Sequence, residues 1–154
     1  MQNNDILRRI RYIFDYSDPK MVSIFAAADY EVTREQVSSW LKKEEDEDFK
    51  SCNDLQLANF LNGLINERRG KREGVQPKPE KRLTNNIILK KLQIALNLKA
   101  DDMLEILESS GVYLSKHELS AFFRKKDHKH YRECKDQVLR NFLKGMLAKY
   151  REDS

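Results

Sequence analysis

Apolar residues recur along this chain at the spacing of one face of an α-helix. In residues 4–16 they fall at i, i+1, i+4, i+7 and i+8, at Ile6, Leu7, Ile10, Ile13 and Phe14. Similar stripes follow in a second helix from Asp18, a third from Thr33 and a long fourth over residues 52–68. No segment alternates apolar and polar residues in a way that predicts a strand. The pattern therefore predicts an all-α protein.

The same pattern occurs twice, because the sequence aligns with itself without a gap when it is shifted by 82 residues. Residues 3–70 fall on residues 85–152, and 16 of the 68 positions are identical. The best-matched block is CNDLQLANFLNG at 52–63 against CKDQVLRNFLKG at 134–145. A gapless register of this length indicates an internal repeat, so eight helices are predicted.

Local signals mark where several helices begin. The asparagine pairs 3–4 and 85–86 are predicted N-caps, because a short amide can accept the free N–H groups of a first turn. Asp18 before Pro19 predicts the cap of the second helix. The third helix of each copy begins with a capping box, Thr33-x-x-Gln36 and Ser115-x-x-Glu118.

Residues 71–82 separate the two copies and have the composition of a linker. They hold two prolines, one glycine and five basic residues. We therefore expect a helical repeat over residues 1–70, a basic linker over 71–82 and a second helical repeat over 83–152. The expected fold is two homologous four-helix repeats packed as a pseudo-two-fold pair. The second and third helices of each repeat are expected to resemble a helix-turn-helix.

Composition narrows the class of protein further. Glycine and proline together number only eight of 154 residues, which disfavours an all-β fold rich in turns. No apolar run approaches the ~20 residues that a membrane span requires. Two cysteines occur and no CxxC pair. We expect a cytoplasmic protein with reduced thiols and no membrane contact.

The net charge of +4 conceals opposite signs in the two copies. Residues 1–70 carry 10 basic and 13 acidic groups, whereas residues 83–154 carry 14 and 10. The first copy has an acidic segment, Glu44, Glu45, Asp46, Glu47 and Asp48. The matching region of the second copy is basic instead. Over the acidic segment and the residues on either side of it, the second copy has Arg124, Lys125, Lys126, Lys129 and Arg132. Carboxylates at the matching site would repel phosphate, so the opposition favours a complementary contact between copies, within or between chains, over equivalent use of both copies on one duplex. Two solvated loops are the alternative interpretation, because exposed charge pairs are individually weak.

A second candidate site is a stripe of small and polar residues on the fourth helix of each copy. Its members are Cys52, Asp54, Asn59, Gly63, Cys134, Asp136, Asn141 and Gly145. Glycine inside a helix costs ~1 kcal/mol relative to alanine, so its recurrence predicts close approach of another helix or a ligand. We favour packing at a seam between the repeats over a ligand site.

Each copy opens with N-N-x-I-L and closes on a helix with C-x-D-x-x-L-x-N-F-L-x-G. This combination resembles the bacterial YehS-like family, which carries a domain of unknown function in two copies. The resemblance covers essentially the whole chain. It implies an all-helical, cytoplasmic bacterial protein, and it transfers no catalytic residue and no assigned activity.

Signatures of catalysis and of metal binding are weak or missing. The sequence has no glycine-rich phosphate loop, no nucleophile elbow and no H-E-x-x-H. His128 and His130 beside Asp127 could ligate a metal, but the first copy has aspartates in place of both histidines, so we expect no metal and no cofactor.

The sequence therefore favours a non-enzymatic binding or regulatory protein whose partner is a macromolecule, a protein rather than a nucleic acid. Self-association through the acidic and basic loops is one form of this hypothesis. The alternative is a DNA- or RNA-binding protein that uses the third helix and the basic face of the second copy. Against this alternative, the connection before the third helix is about two residues longer than in the tight helix-turn-helix motif.

Overall fold

The computed structural model of the protein describes residues 1–151, and among them it contains eight α-helices and no strand. The first repeat holds α1 (Asn3–Phe14), α2 (Asp18–Ala27), α3 (Arg34–Leu41) and α4 (Asp54–Arg69). The second repeat holds α5 (Asn85–Ala95), α6 (Ala100–Ser109), α7 (Lys116–Ala121) and α8 (Asp136–Tyr150). The all-α prediction and the four helices per repeat are confirmed. Residue 152, the last of the predicted second repeat, lies outside the described residues.

The chain divides into two compact units, Met1–Leu83 and Thr84–Ser154. The predicted linker therefore belongs with the first unit. Its residues Gln76, Pro77 and Pro79 lie against α4 beside Asn59 and Asn66, and the Asn66 side chain bonds the Ala27 carbonyl at the end of α2.

Within each repeat the second helix packs along the fourth, and the third helix packs on the second. In the first repeat the core is aromatic, because the Phe25 ring lies 5.5 Å from the Trp40 ring and 5.2 Å from the Phe60 ring. The second repeat has buried residues at the same places, Leu107, Phe122 and Phe142. A shared apolar pattern thus produces the same four-helix packing twice.

Two predicted helix starts are confirmed and three are wrong. The capping boxes at Thr33 and Ser115 are both formed. The cap of α2 is Ser17 rather than Asp18, because the Ser17 hydroxyl accepts the bond from a backbone N–H of the first turn. The asparagine pairs are not caps either, since residues 2 and 84 occupy the cap positions of α1 and α5.

The second and third helices of each repeat are joined by six residues, 28–33 and 110–115. This connection is longer than the three or four residues of the DNA-binding motif. In the second repeat the third helix is also short, because α7 has six residues where α3 has eight. Among residues 1–151, no helix has the length and apolar character needed to cross a bilayer.

Candidate functional site

The second asparagine of each repeat joins three segments of its repeat. The Asn4 side chain donates to the carbonyl oxygens of Trp40 (2.9 Å) and Lys50 (2.8 Å), and it accepts from the Cys52 N–H (3.0 Å). Asn86 makes the three equivalent bonds at 2.8–2.9 Å, with Phe122, Arg132 and Cys134. Both asparagines are buried. These bonds hold the loop between the third and fourth helices, so the repeated asparagine has a structural role.

The two cysteines of the stripe are buried and free. Burial, together with the smaller effect of the nearby Asp54 carboxylate, raises the pKa of the Cys52 thiol to about 12. Burial, followed by the charge of Asp136, raises the pKa of the Cys134 thiol to about 12 as well. The thiolate is the nucleophilic form, and such thiols are almost wholly protonated at neutral pH. Neither cysteine has the character of a catalytic nucleophile.

The two glycines of the stripe lie where the fourth helix crosses the second helix of the same repeat. A Cβ atom on Gly63 would stand 1.8 Å from the Ile24 carbonyl oxygen, and one on Gly145 would stand 2.2 Å from that of Ile106. A methyl group does not fit at such distances, so the glycines allow the two backbones to approach. This contact favours the packing interpretation of the stripe, with the partner inside the repeat.

The remaining members of the stripe make local structural contacts. Asn59 is buried and donates to the backbone carbonyl one turn earlier (2.9 Å), whereas Asn141 is half-buried and accepts a bond from a glutamine amide (3.2 Å). Asp54 and Asp136 each accept a bond from the first asparagine of their repeat, at 2.7 and 2.8 Å. Both aspartates also stand in the first turn of their helix, where a negative charge is favourable.

A groove of about 300 Å³ opens in the second repeat between α5 and the segment that follows α7, and we call it the basic groove. Its apolar lining consists of Ile87, Phe122, Phe123 and Tyr131, and its rim carries Lys90, Arg124 and Lys126. Phe122 is buried in the floor, whereas Lys90 and Lys126 are exposed. An apolar floor beneath a ring of cations suits a ligand that carries both apolar and anionic groups.

Two of the rim cations, Arg124 and Lys90, have neutral partners. The Arg124 guanidinium donates to the His130 carbonyl (3.1 Å) and the Ser120 hydroxyl (3.4 Å). The Lys90 ammonium lies 5.1 Å from the centre of the Phe123 ring and donates to the amide oxygen of Gln93. The positive charges of Arg124 and Lys90 are therefore available to an incoming anion.

Hydrogen bonds cross the equivalent space in the first repeat. Arg8, which aligns with Lys90, donates to the Lys42 carbonyl (2.8 Å) and forms an ion pair with Asp5 (3.2 Å). The Gln2 amide donates to the Glu44 carboxylate (3.3 Å). These bonds join the start of α1 to the segment that follows α3.

The second repeat has different residues at these positions. Lys126 replaces the acidic Glu44, and Ile87 replaces the acidic Asp5. Thr84 replaces the glutamine, and its hydroxyl caps α5 by accepting the Ile87 N–H at 3.2 Å. The substitutions remove the Gln2–Glu44 bond, which joins the two walls in the first repeat, and add a cation to the rim.

The acidic loop (residues 44–48) and the basic loop (residues 125–130) have the same backbone turn. The Asp46 N–H donates to the Lys43 carbonyl at 3.0 Å, and the His128 N–H donates to the Lys125 carbonyl at 2.9 Å. All five acidic residues are exposed, as are Lys125, Lys126, Lys129 and Arg132, whereas Arg124 is half-buried. The loops therefore differ in side-chain charge rather than in backbone.

The outward face of the third helix changes charge in the same way. In the first repeat it borders a depression of about 500 Å³ lined by three cations and four carboxylates, Asp18, Arg34, Glu35, Lys42, Glu47, Asp48 and Lys50, with Ser38 and Ser39. The equivalent positions of the second repeat hold four cations and no carboxylate. Two of these cations already have partners, because Lys116 pairs with Asp101 (3.1 Å) and Arg132 with Glu118 (3.2 Å).

The two loop histidines contact each other. Their ring centres are 5.6 Å apart, and the His128 Nδ1 accepts the His130 N–H at 3.0 Å. This bond uses one ring nitrogen of His128 to close the loop. Across residues 1–151, no group of three His, Cys, Asp or Glu side chains is placed to hold a metal ion.

Sequence reasoning identified Arg124 and Lys126 but missed Ile87, Lys90 and Phe123, which complete the basic groove. A usable signal was present in the alignment of the two copies. An isoleucine that replaces an aspartate on the polar side of a helix indicates an added apolar surface.

Both copies match one protein family. Residues 3–70 and 85–152 match the family described as "Protein of unknown function (DUF1456)". The chain is also 49% identical over 150 residues to the "Uncharacterized protein YehS" of Escherichia coli (strain K12). These 150 residues cover 97% of this chain and 96% of that protein. No solved structure matches the chain. The resemblance and the tandem organisation inferred from the sequence are therefore confirmed.

Proposed function

The chain belongs to the DUF1456 family, and on that premise we propose that it is a non-enzymatic binding protein that engages an anionic macromolecule through its second repeat. One observation carries the proposal. On the same four-helix scaffold, the first repeat joins its first helix to the loop that follows its third helix by side-chain hydrogen bonds, whereas the second repeat has a groove there with cations on its rim.

Three features support binding rather than catalysis. Both thiols are buried with a pKa of about 12. The repeated asparagines and glycines take part in hydrogen bonds and packing inside their own repeats. The charges that distinguish the repeats lie at the surface, where they act on a partner in solution. The free cysteines also fit the cytoplasmic location that we propose.

A polypeptide is the favoured partner. The basic groove has an apolar floor, which a polypeptide side chain can fill and a phosphate backbone cannot. The short α7 and the ion pairs of Lys116 and Arg132 reduce the surface that a recognition helix would present to a DNA groove.

The proposal is tested by measuring the binding of labelled poly-glutamate to the full-length chain as salt is raised. The variant Arg124→Glu/Lys125→Glu/Lys126→Glu should weaken binding at low salt by about tenfold or more. A loss of this size corresponds to the loss of about two charge contacts with the ligand. The matched control Arg69→Glu/Arg72→Glu/Lys78→Glu changes the net charge equally at exposed positions outside the second repeat. An equal loss in both variants would show that only net charge matters.

A second candidate function is nucleic-acid binding, and the all-cationic set of charges at the α7 face is the observation that favours it. A labelled duplex and a labelled single strand, tested in the same titration, distinguish it from polypeptide binding. Retention of either at low salt, with a steep fall in affinity as salt rises and a loss in the Arg124 variant, would favour this candidate. No retention at low salt would remove it.

A further inference from the structure

We propose that the basic groove binds a short acidic peptide segment of a partner protein, with one large apolar side chain of that segment inserted between Ile87 and Phe123. This inference rests on the proposed function and adds the chemistry of the partner. It is carried by the size of the groove, by the state of its polar groups and by the charges on its rim.

The size and lining of the groove suit one large apolar side chain. Its volume of about 300 Å³ lies at the lower end of the range for ligand pockets. Ile87 and Phe123 are half-buried, so an inserted side chain would remove apolar surface of both from water. Anchors of this kind, surrounded by a polar rim, contribute most of the affinity at many protein interfaces.

The Asn86 amide and the Thr84 hydroxyl, which line the groove, are already engaged. Both amide hydrogens of Asn86 donate to backbone carbonyls, and its oxygen accepts the Cys134 N–H. The Thr84 hydroxyl accepts the Ile87 N–H in the first turn of α5. Reading a nucleic-acid base requires donors and acceptors that reach its edge. An apolar side chain makes no such demand, and this favours a peptide over a base.

The rim determines the charge of the segment. Lys90, Arg124 and Lys126 surround the groove, and the hydrogen-bond partners of Lys90 and Arg124 are neutral. Carboxylates on both sides of the anchor would lie within reach of these cations. Asp127 is the carboxylate of the same loop, and it is exposed next to Lys126. An acidic segment with a central phenylalanine or leucine therefore complements both the floor and the rim.

The test compares two labelled peptides by fluorescence anisotropy with the full-length chain. One has a phenylalanine between pairs of glutamates, and the other has alanine in its place. Because both carry the same charge, their ratio of affinities isolates the apolar side chain. We expect the phenylalanine peptide to bind about tenfold more tightly, the gain typical of burying a large apolar side chain.

Protein variants locate the effect. In the variant Ile87→Ala/Phe123→Ala, the ratio of the affinities for the phenylalanine and alanine peptides should fall towards one. The affinity for the alanine peptide should stay the same. The matched control Tyr113→Ala removes an aromatic side chain that is 75% exposed outside the groove, and it should keep the preference. If the double variant fails to fold by circular dichroism, Ile87→Asp replaces it, because the first repeat carries Asp5 at this position.

The outcomes separate this inference from the proposed function. Equal binding of the two peptides would overturn the inference and leave the proposed function standing. Tighter binding of a single-stranded oligonucleotide, lost in the same double variant, would also overturn it and assign the groove to nucleic acid. If no anionic probe binds at low salt, the proposed function itself fails.

Discussion

The Asn4 side-chain oxygen accepts a hydrogen bond from the Cys52 N–H at 3.0 Å, and Asn86 and Cys134 form the same bond at 2.9 Å. The two most recognisable motifs of the repeat therefore meet in space. The asparagine pair that opens each copy holds the backbone just before the C-x-D helix that closes it. This bond fixes the loop whose charge differs between the repeats, so a shared framework carries two different surfaces.

Replacing the buried asparagine should destabilise the protein strongly. Asn86→Ala leaves two carbonyls and one N–H without their partner in a buried place, and we expect a loss of about 3 kcal/mol in the free energy of unfolding. Urea denaturation followed by circular dichroism measures it. Asn141→Ala, which removes a half-buried amide with one side-chain bond, serves as the control and should cost less than about 1 kcal/mol. Equal losses in the two variants would contradict the structural role of Asn86.

The apolar periodicity predicted all eight helices because it reports which face of each helix is buried. The capping signal misassigned the asparagine pairs, because an asparagine at the start of a helix has the same local pattern whether it caps that helix or bonds a distant loop. The partners of Asn4 lie 36, 46 and 48 residues away, and no local pattern contains them. Tertiary contacts decided its role.

The cations of the basic groove were predictable from the sequence, whereas the open space beneath them was not. Charge alone identified Arg124 and Lys126, since exposed cations can be recognised in a sequence. Whether the space beneath them is open depends on Thr84 and Ile87, which lie about 40 residues earlier and become neighbours only in the folded repeat. The acidic and basic loops were predicted from the alignment, and their common backbone turn became visible only in the structure.

Adding a methyl group at the helix crossing should be costly. In a helix, alanine is more favourable than glycine by ~1 kcal/mol. In Gly145→Ala, however, the new Cβ would lie 2.2 Å from the Ile106 carbonyl oxygen. We expect a net loss of about 2 kcal/mol or more in unfolding free energy, because α6 and α8 must separate. In the control Lys144→Gly, at the exposed neighbouring position, the loss should be about 1 kcal/mol from helix propensity alone. A stabilised Gly145→Ala variant would refute the close approach.

The two thiols should resist alkylation in the folded protein. Burial raises the pKa of Cys52 and Cys134 to about 12, so the thiolate is scarce at neutral pH and the sulfur atoms are shielded. With iodoacetamide at pH 7.5, intact-mass spectrometry should detect no adduct in native conditions and two adducts in concentrated urea. Rapid labelling of either cysteine without denaturant would show that its site is open.

Reversing the acidic loop tests self-association directly. If carboxylates of one molecule contact the basic loop of another, a variant with lysine at positions 44–48 should change the sedimentation coefficient at low salt and lose that effect at high salt. All five acidic side chains are exposed, so lysine at these positions places no charge in the core. Identical sedimentation of the variant and the original chain at low salt would contradict self-association through these loops. The partner of the basic groove would then be a different molecule.

The capping box of α7 should produce a pH-dependent contribution to stability. The Ser115 N–H donates to the Glu118 carboxylate (3.0 Å), and this bond lowers the pKa of Glu118, with smaller effects from the Ser115 hydroxyl and from Arg132. Since the folded-state pKa lies below the unfolded one, the stabilisation is complete above the unfolded pKa and is lost as pH falls through the folded one. Ser115→Ala removes the hydroxyl and keeps the backbone N–H, so it should raise the pKa only part of the way to its ordinary value, and Arg132→Gln should raise it less. Carbon-13 NMR titration of the Glu118 carboxyl group measures both shifts, and Thr33→Ala in the first repeat should leave it unchanged. An ordinary pKa for Glu118 in the original chain would show that the cap does not hold the carboxylate in solution.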